Sequence, residues 1–291
     1  MADSSEQKTG IDLIMASWEY IAGMPSEDLK SWTCAYGGYS EDAGRPVHRL
    51  EVPRDRVTII LGFGDRLRIK PVGSTASIQS QAFVVGLGEK PLLVKHEGIQ
   101  RCIEIELLPW AANKLFCGAS AELTQGVVDL KSIWGSNADL LIEQLSESSS
   151  WQQRFAVVER FLSEKFATSN QTVRSEVQWA WGQLENYGGC IPIRQLAKEL
   201  GWSDRHFATC FRAQIGITPK AAARRIRFTR AHQLLTNSEN YALSAIAAMC
   251  GYSDQSHFTR EFHWFAGCSP TVYQAARFPD LLGTPGDIIN E

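Results

Sequence analysis

A repeat in the last third of the chain constrains its fold more than any other feature. The hexapeptide LAKELG at 196–201 recurs fifty positions later as IAAMCG at 246–251, with its first apolar residue, its alanine and its glycine in matching places. Each copy continues with two phenylalanines four residues apart and then a Gly-x-x-Pro sequence: Phe207, Phe211 and 216–219 in the first, and Phe258, Phe262 and 267–270 in the second. This later part is offset by fifty-one positions, so the second copy has one extra residue in its turn. Matched starts and ends indicate one supersecondary unit used twice.

Each part of the repeat has a physical role in a pair of crossing helices. The small alanine lets a second helix cross closely over the first, and the glycine can end the first helix because it adopts positive φ without a steric penalty. Ser203 and Ser253 can then cap the second helix, whose paired phenylalanines anchor one face and leave a polar face outward. We therefore predict helix-turn-helix units at 193–215 and 243–266, whose second helices would enter the major groove of DNA.

A connecting helix is predicted between the units, at 219–236. Thr218 can cap it, and Pro219 suits its first turn, where the missing N–H has no intrahelical role. The helix would span about 27 Å, which is compatible with the roughly 34 Å between successive major grooves on one face of DNA. One chain could therefore read two adjacent grooves without a palindrome. A plain helical bundle is the alternative for a single copy of the pattern, but two matched copies favour helix-turn-helix units.

The charge distribution points to the same part of the chain. The net charge is −3, from 29 basic and 32 acidic residues. Residues 188–277 nevertheless hold 11 basic and 5 acidic residues, a net charge of +6, whereas 1–187 carry a net charge of −6. A basic segment joined to an acidic one suggests a nucleic acid as the partner of the basic segment.

The segment 193–276 resembles the AraC/XylS family of transcription regulators. The resemblance lies in Ile193-x-x-Leu196-Ala197, Ser203-x-x-His206-Phe207-x-x-x-Phe211, Gly216-x-x-Pro219, Arg227-x-x-x-Ala231-x-x-Leu234-Leu235, Ile246-Ala247-x-x-x-Gly251-Tyr252 and Phe258-x-x-x-Phe262-x-x-x-x-Gly267-x-x-Pro270-x-x-Tyr273. It implies a sequence-specific activator that binds double-stranded DNA and contacts RNA polymerase. It also implies a first domain in which a β-barrel binds a small-molecule effector and helices form a homodimer.

The resemblance also implies which side chains face DNA. The exposed recognition positions of the family fall on Arg205, Ala208, Thr209, Gln255, Ser256, His257 and Arg260. Arginine can pair with guanine through two hydrogen bonds, and glutamine with adenine. Because Ala208 departs from the long polar residue often found there, we expect the second helix to carry more base specificity than the first. The following are predicted to contact phosphates or to be solvated charges: Arg212, Lys220, Arg224 and Arg225.

The part of the chain before residue 110 reads as short strands. Seven segments rich in β-branched residues are separated by Gly, Pro, Asp and Ser: 32–39, 47–52, 56–61, 67–71, 82–87, 92–96 and 100–107. Helices are predicted to follow at 110–116, 137–145, 151–166 and 172–185, the last with Thr172 as its cap. The predicted fold is α+β, with an N-terminal small β-barrel or sandwich, accessory dimerisation helices at 137–145 and 151–166, and a C-terminal all-α domain of two helix-turn-helix units joined by a linker helix. We expect a tail and lead-in at 1–30, a sensor and dimerisation domain at 31–187, the DNA-binding domain at 188–277 and a tail at 278–291.

The first domain offers candidates for a ligand pocket. They are mostly aromatic: Trp32, Tyr36, Phe83, Arg101 and Trp110. Other polar residues of the predicted strands could hold a polar group of a ligand or face solvent: Arg56, Glu104 and Glu106. Because His48 and His96 stand alone on different strands, we predict no metal site, and we predict no cofactor and no catalytic residue.

Two alternatives stay open. A regulator without a small-molecule ligand would respond to dimerisation, to a protein partner or to oxidation of Cys34, Cys102 or Cys117. An enzyme domain fused to a DNA-binding module is the alternative from another class, but the sequence contains no nucleophile motif, paired-carboxylate motif or cluster of metal ligands. The seven cysteines form no Cys-x-x-Cys pair, and neither a signal peptide nor a membrane span of about 18 apolar residues is recognisable. We therefore expect a cytoplasmic protein that is not an enzyme.

Overall fold

The computed structural model describes residues 16–118, 123–124, 126–237 and 241–289. Within these residues the strands are β1 Ser17–Gly23, β2 Thr33–Asp42, β3 Val47–Glu51, β4 Val57–Gly62, β5 Leu67–Pro71, β6 Ile78–Ser80, β7 Ala82–Val85, β8 Leu92–His96, β9 Ile99–Leu107, β10 Val127–Asp129 and β11 Thr284–Pro285. They form two antiparallel sheets, one of six strands in the order β1-β2-β9-β4-β7-β10 and one of five in the order β11-β3-β8-β5-β6. The predicted small β-domain is therefore built from two sheets that enclose a space between them.

The six-stranded sheet has two faces of different chemistry. On β9, Ile103 and Ile105 are fully buried in the same core as the helices, whereas the alternate residues Cys102 and Glu104 face the space between the sheets. On β4, Ile59 faces the helices in the same way. Because successive side chains of a strand point to opposite faces, each of these strands supplies both an apolar core and a cavity lining.

Helices cover the outer face of the six-stranded sheet: α1 Pro109–Leu115, α2 Leu130–Trp134, α3 Ser136–Glu147 and α4 Trp151–Thr168. The ring of Trp151 lies directly over Gly38 of β2, where an added Cβ would be 2.3 Å from a ring carbon, so only glycine permits this approach. At the other end of α4, Phe166 stacks on Trp32 with ring centroids 5.2 Å apart. The apolar stripe of α4 therefore packs on the sheet of its own chain, and the use of this helix in a dimer stays a prediction for its exposed face.

The rest of the chain is helical: α5 Ser175–Asn186, α6 Ile193–Glu199, α7 Asp204–Ile215, α8 Pro219–Thr236, α9 Leu243–Met249, α10 Gln255–Ala266 and α11 Pro270–Ala275. The two predicted helix-turn-helix units and the predicted connecting helix are confirmed to the residue. Gly188 and Gly189 follow α5 with φ of 54° and 74°, close to the predicted domain boundary. Helix α5 nevertheless packs on the second domain, since Trp181 stacks on Phe211 of α7 at a centroid distance of 6.2 Å. No helix of the described residues is both long and apolar enough to span a membrane.

Three predictions about the ends of elements are wrong. Within the expected lead-in, residues 17–23 form β1, and the expected tail at 278–291 supplies β11, which pairs with β3. Helix α5 begins at Ser175 after Arg174, so Thr172 is not its cap. The sequence did not indicate these two strands, because neither shows a periodic apolar pattern. Strand β1 is exposed on both faces, and β11 has only two residues. Residues 1–15 lie outside the described part of the chain.

Candidate nucleic-acid interface

The two helix-turn-helix units turn with the same backbone geometry. Gly201 follows α6 with φ of 67°, and Gly251 follows α9 with φ of 71°. In each unit the N–H of the next residue donates to the carbonyl oxygen of the repeat's alanine at 2.9 Å. Positive φ favours glycine at both places, which confirms the role that the repeat predicts for these residues.

The caps of the two recognition helices differ by one position in the repeat. Ser203 caps α7, since its Oγ accepts a hydrogen bond from the N–H of His206 at 3.2 Å. We predicted Ser253 as the cap of α10, and this is wrong. Asp254 caps this helix, since its Oδ1 accepts a hydrogen bond from the N–H of His257 at 2.7 Å. The extra residue of the second turn shifts the cap onto Asp254. The hydrogen bond from the His257 N–H, and a second hydrogen bond from the Ser253 hydroxyl, lower the pKa of the Asp254 carboxyl. The ionised carboxylate lies at the positive end of the helix dipole.

Paired phenylalanines fix the inner faces of both recognition helices. The rings of Phe207 and Phe211 are 5.7 Å apart at 66°, and those of Phe258 and Phe262 are 5.7 Å apart at 72°. All four side chains are fully buried. With the inner face fixed in this way, helix geometry determines which residues point outward.

The outer face of the first unit carries three residues of α7. Arg205, Thr209 and Arg212 are exposed and are spaced four and three residues apart, which places them on one side of the helix. The Thr209 hydroxyl donates to the carbonyl of Arg205 at 2.9 Å, so its oxygen acts toward an outside partner as an acceptor. Lys220, near the start of α8, is exposed as well. These four residues are accessible, and their contact with DNA stays a prediction.

The outer face of the second unit carries Gln255, Ser256 and Arg260 of α10, all exposed. His257 is half-buried, with Nδ1 at 3.2 Å from the Ser253 hydroxyl and its ring perpendicular to that of Tyr252 at 5.3 Å. His257 is therefore tied to the turn and lies at the margin of this face.

Two arginines of α8 turn away from solvent. Arg225 is only 2% exposed, and its guanidinium donates to the carbonyl oxygens of Arg54 at 2.7 Å, of Leu87 at 2.6 Å and of Gly88. Burial lowers the pKa of Arg225 to about 10. The prediction that Arg225 contacts phosphate or solvent is therefore wrong, because backbone oxygens of the first domain take up its donors.

Arg224 is also engaged within the chain. Its Nε donates to Glu261 of α10 at 2.9 Å, and its Nη1 lies 3.7 Å from Glu89, in the loop between β7 and β8. This half-buried arginine connects the second unit with the first domain, so it too is not the free phosphate contact that we expected.

The two units belong to different hydrophobic cores. The phenylalanine pair of α7 lies in a core shared with the helical face of the six-stranded sheet. The pair of α10 lies in a second core, together with Leu50 and Leu93 of the five-stranded sheet. Helix α8 joins the cores, with Ile226 in the first and Phe228 in the second. Both units thus dock on the first domain through their inner faces and leave their outer faces free.

A cavity of about 500 Å³ lies between the two sheets. Its lining combines apolar side chains with charged ones: Ile60, Leu67, Phe83, Val85, Leu92 and Val94, and Arg49, Glu51, Arg54, Arg56, Glu104 and Glu106. Arg54 pairs with Glu104 at 2.6 Å and with Glu106 at 2.9 Å. Burial raises the pKa of Glu51, although the nearby arginines oppose the shift. The volume falls in the range of roughly 300–1,000 Å³ that small-molecule pockets occupy.

Two of the five predicted pocket residues line this cavity. They are Tyr36 and Phe83. The others lie elsewhere: Trp32 stacks on Phe166, Trp110 donates to the carbonyl of Ser31 at 3.3 Å, and Arg101 is exposed. The other polar candidates fared better, since Arg56, Glu104 and Glu106 all line the cavity. On β9 the two glutamates alternate with buried isoleucines, a pattern that indicates a second covered face.

Two of the three cysteines named for redox control have raised pKa values. Burial outweighs the nearby charge of Arg56 and raises the pKa of Cys34, and burial raises that of Cys102 to about 12. A high pKa disfavours the reactive thiolate. Among the described residues, no three His, Cys, Asp or Glu side chains are grouped as a set of metal ligands.

Comparisons with known proteins agree with this geometry. A family model described as a helix-turn-helix domain matches residues 196–276. The probable transcriptional regulator LumQ of Photobacterium leiognathi is 36% identical over 84 residues, 29% of this chain and 34% of LumQ. The transcriptional activator RhaS of Escherichia coli is 30% identical over 99 residues, 33% of this chain and 35% of RhaS. The chain therefore spans about a third of the length of these curated relatives.

Among solved structures, ToxT of Vibrio cholerae aligns with a TM-score of 0.47 and 12% identity, over 89% of this chain and 97% of that one. The type of the C-terminal domain rests on the sequence match over residues 196–276 and on the two helix-turn-helix units within it. Residues 196–276 are therefore a helix-turn-helix domain of the AraC type, as the resemblance to the AraC/XylS family of transcription regulators predicts.

Proposed function

We propose that this chain is a transcription activator that binds double-stranded DNA sequence-specifically and responds to a small molecule between its two sheets. The observation that carries the DNA-binding part is the pair of recognition helices with equivalent buried faces and exposed polar outer faces. The names of RhaS, an activator, and LumQ, a probable regulator, support a regulatory role rather than an enzymatic one.

The outer faces divide into base-reading and phosphate-binding residues. Arg205, Gln255 and Arg260 have side chains long enough for bidentate contacts to base edges in the major groove. Arg212 and Lys220 lie at the ends of their helices' exposed surface and suit phosphates, which position the protein but carry no sequence information. Thr209, Ser256 and His257 can add single hydrogen bonds at the margins.

The site read by one chain should be asymmetric. The two recognition helices differ in sequence, and one continuous helix, α8, holds them in fixed order. Two different helices in adjacent major grooves read two different half-sites about one helical turn apart, in one orientation.

Selection from a pool of random DNA duplexes tests this function. The full chain should enrich an asymmetric site with two conserved blocks spaced by about 10 base pairs, the length of one helical turn. Competition against unselected duplex at physiological salt would measure the specificity ratio. Failure to enrich any sequence would overturn the proposed function. A strict palindrome within the site bound by one chain would overturn the proposal that its two recognition helices bind two different half-sites.

The proposed effector is a small amphipathic molecule. The cavity offers an apolar wall formed by Ile60, Phe83 and Val94 and a set of charged groups that include Glu51 and Arg54. Apolar surface with a few polar groups is the usual composition of a ligand pocket, in which the polar groups fix the orientation.

An environment-sensitive dye, anilinonaphthalene sulfonate, can probe the cavity without knowledge of the effector. Ile60→Trp would fill part of the space and should lower the fluorescence enhancement of the dye. Leu140→Trp is the matched control, since Leu140 lies on the exposed face of α3. Equal enhancement for wild type and Ile60→Trp would refute binding of the dye in the cavity and weaken the ligand proposal.

We also infer, from the family resemblance, that the chain forms a homodimer and contacts RNA polymerase. Because one face of α4 packs on the sheet of its own chain, a dimer through this helix would use its exposed face. Sedimentation of the full chain at micromolar concentration tests the dimer; a strict monomer without DNA would contradict it.

A further inference from the structure

The segment that follows α11 crosses back from the DNA-binding domain to the five-stranded sheet. We call residues 278–289 the strap. Thr284 and Pro285 of the strap form β11, which pairs antiparallel with Leu50 and Arg49 of β3. Thr284 is only 2% exposed, so the strap is packed against the sheet at this position.

Side chains reinforce the pairing along the strap. Arg45 donates two hydrogen bonds to Asp280, each 2.9 Å long, and His48 Nδ1 lies 2.8 Å from Asp287 Oδ1. Leu281 is buried in an apolar cluster of the first domain. A bidentate arginine–carboxylate pair fixes direction as well as distance, so it favours one register of the strap.

The same strap contacts the second helix-turn-helix unit. Ile289 lies against Gly267, where an added Cβ would come within 2.8 Å of the isoleucine side chain. Ile288 and Ile289 also pack on the core that contains the phenylalanine pair of α10. The second unit is therefore held on one side by the strap.

The loop between β7 and β8 holds the second unit on another side. Trp264 of α10 donates to Glu89 at 3.1 Å, and the ammonium group of Lys90 lies 4.5 Å from the centre of its ring. Together with the strap, this contact leaves α10 between two attachments to the first domain.

The strap also forms part of the cavity wall. Leu282 and Gly283 line the cavity, and Arg49, which lines it too, donates from Nε to the carbonyl of Leu282 at 3.1 Å. Gly283 has φ of 96° and packs on the Arg49 side chain, which a Cβ would approach to 3.1 Å. One guanidinium thus joins the strap to Glu41, at 2.7 Å, inside the first domain.

We propose that the strap is a coupling element: it closes one side of the cavity and holds the second helix-turn-helix unit, so that occupancy of the cavity and the position of that unit depend on each other. Its regulatory meaning rests on the proposed ligand role of the cavity. Coupling of this kind is reciprocal, so a change in the cavity must alter the strap, and a change in the strap must alter the second unit.

Hydrogen exchange of the full chain tests the strap directly, without DNA or ligand. Asp280→Arg places two positive charges together and should raise amide exchange in β11, and also in α10 and α11, by about tenfold. The swapped variant Arg45→Asp with Asp280→Arg should restore protection. Asp139→Arg is the matched control, since its exposed pair with Lys131 lies away from the strap.

Gly283→Val provides a second route that leaves every charge in place. A β-branched residue is strained at this positive φ and would push against Arg49, so the same amides should exchange faster. The reciprocal variant, Val94→Trp, fills the cavity and should raise exchange in the strap. Unchanged exchange of α10 and α11 in Asp280→Arg and Gly283→Val would overturn the inference, as would an unchanged strap in Val94→Trp. The proposed function fails separately, if the wild-type chain enriches no DNA sequence.

Discussion

Replacement of Arg225 by methionine is the sharpest test of how the two domains are joined. The side chain lies on α8, between the two helix-turn-helix units, and its three acceptors are backbone oxygens of the first domain. Methionine has a similar length and no charge, so Arg225→Met removes the donors while it keeps most of the apolar packing.

Two opposing terms set the magnitude. Each buried acceptor left without a donor costs about 1–3 kcal/mol, so three carbonyls set an upper bound of roughly 9 kcal/mol. Against this, burial lowers the pKa of the guanidinium from 12.5 to about 10, and removal of that desolvated charge returns about 3 kcal/mol. Water that enters from the adjoining cavity can satisfy part of the freed oxygens, since Arg54 and Gly88 line it. We expect Arg225→Met to lower the free energy of unfolding by about 2–4 kcal/mol.

Arg225→Lys separates charge from geometry. A single ammonium group keeps the buried charge but cannot span three carbonyls as a planar guanidinium does, so we expect a loss at least as large as that of Arg225→Met. Arg230→Met is the control on the same helix; Arg230 is exposed, and its replacement should change stability by less than about 0.5 kcal/mol. Urea unfolding followed by tryptophan fluorescence measures all three. Wild-type stability in both Arg225 variants would refute the reasoning.

Three further predictions concern DNA binding and pH. Arg260→Ala should weaken binding to the selected site by roughly 1–3 kcal/mol and relax preference at one base pair, whereas Lys220→Ala should weaken all sequences alike and flatten the salt dependence. Unchanged selectivity of Arg260→Ala in competition binding would contradict its assignment, as would a sequence-selective loss for Lys220→Ala. Burial, with smaller contributions from the charges of Arg54 and Arg277, lowers the pKa of His232 from 6.5 to about 4. Between pH 6.5 and pH 4 the imidazole is therefore protonated in the unfolded chain but neutral in the folded one. Stability should therefore fall as pH falls from 6.5 toward 4, by up to about 3 kcal/mol, and His232→Gln should lose this part of the dependence in urea titrations at both pH values.

The helix-turn-helix units were predictable to the residue because their signals are local. A glycine that can adopt positive φ, a cap and a phenylalanine pair all lie within one turn and one helix, and the second copy repeats them. The prediction for the cap of α10 was wrong because it too relied on a local signal. With one residue added to the turn, Ser253 and Asp254 are both good caps, and only the backbone shows that Asp254 accepts the hydrogen bond.

The cavity was predictable only in part. Alternation along the strands indicates that a sheet has two faces, but it does not say what covers each face. Phe83 lies between the two sheets, whereas the rings of Trp32 and Tyr36 pack on Phe166 and Phe155 of α4, although Tyr36 also borders the cavity. All three are aromatic residues of strands or their edges. The difference arises from which sheet face each side chain occupies, and pairing between distant strands decides that.

The sequence by itself determined the two recognition helices and which of their faces is buried, because helix periodicity and capping depend on neighbours a few positions away. The resemblance to a known family indicated which residues lie on the outer faces. Only the tertiary structure decided what the inner faces touch. Arg225 reads as a solvated charge on a basic helix, yet it is buried because three carbonyl oxygens reach it from 137, 138 and 171 positions away. The strap reads as a tail for the same reason: its partners, β3 and Arg45, lie more than 230 positions earlier, where no local pattern can indicate them.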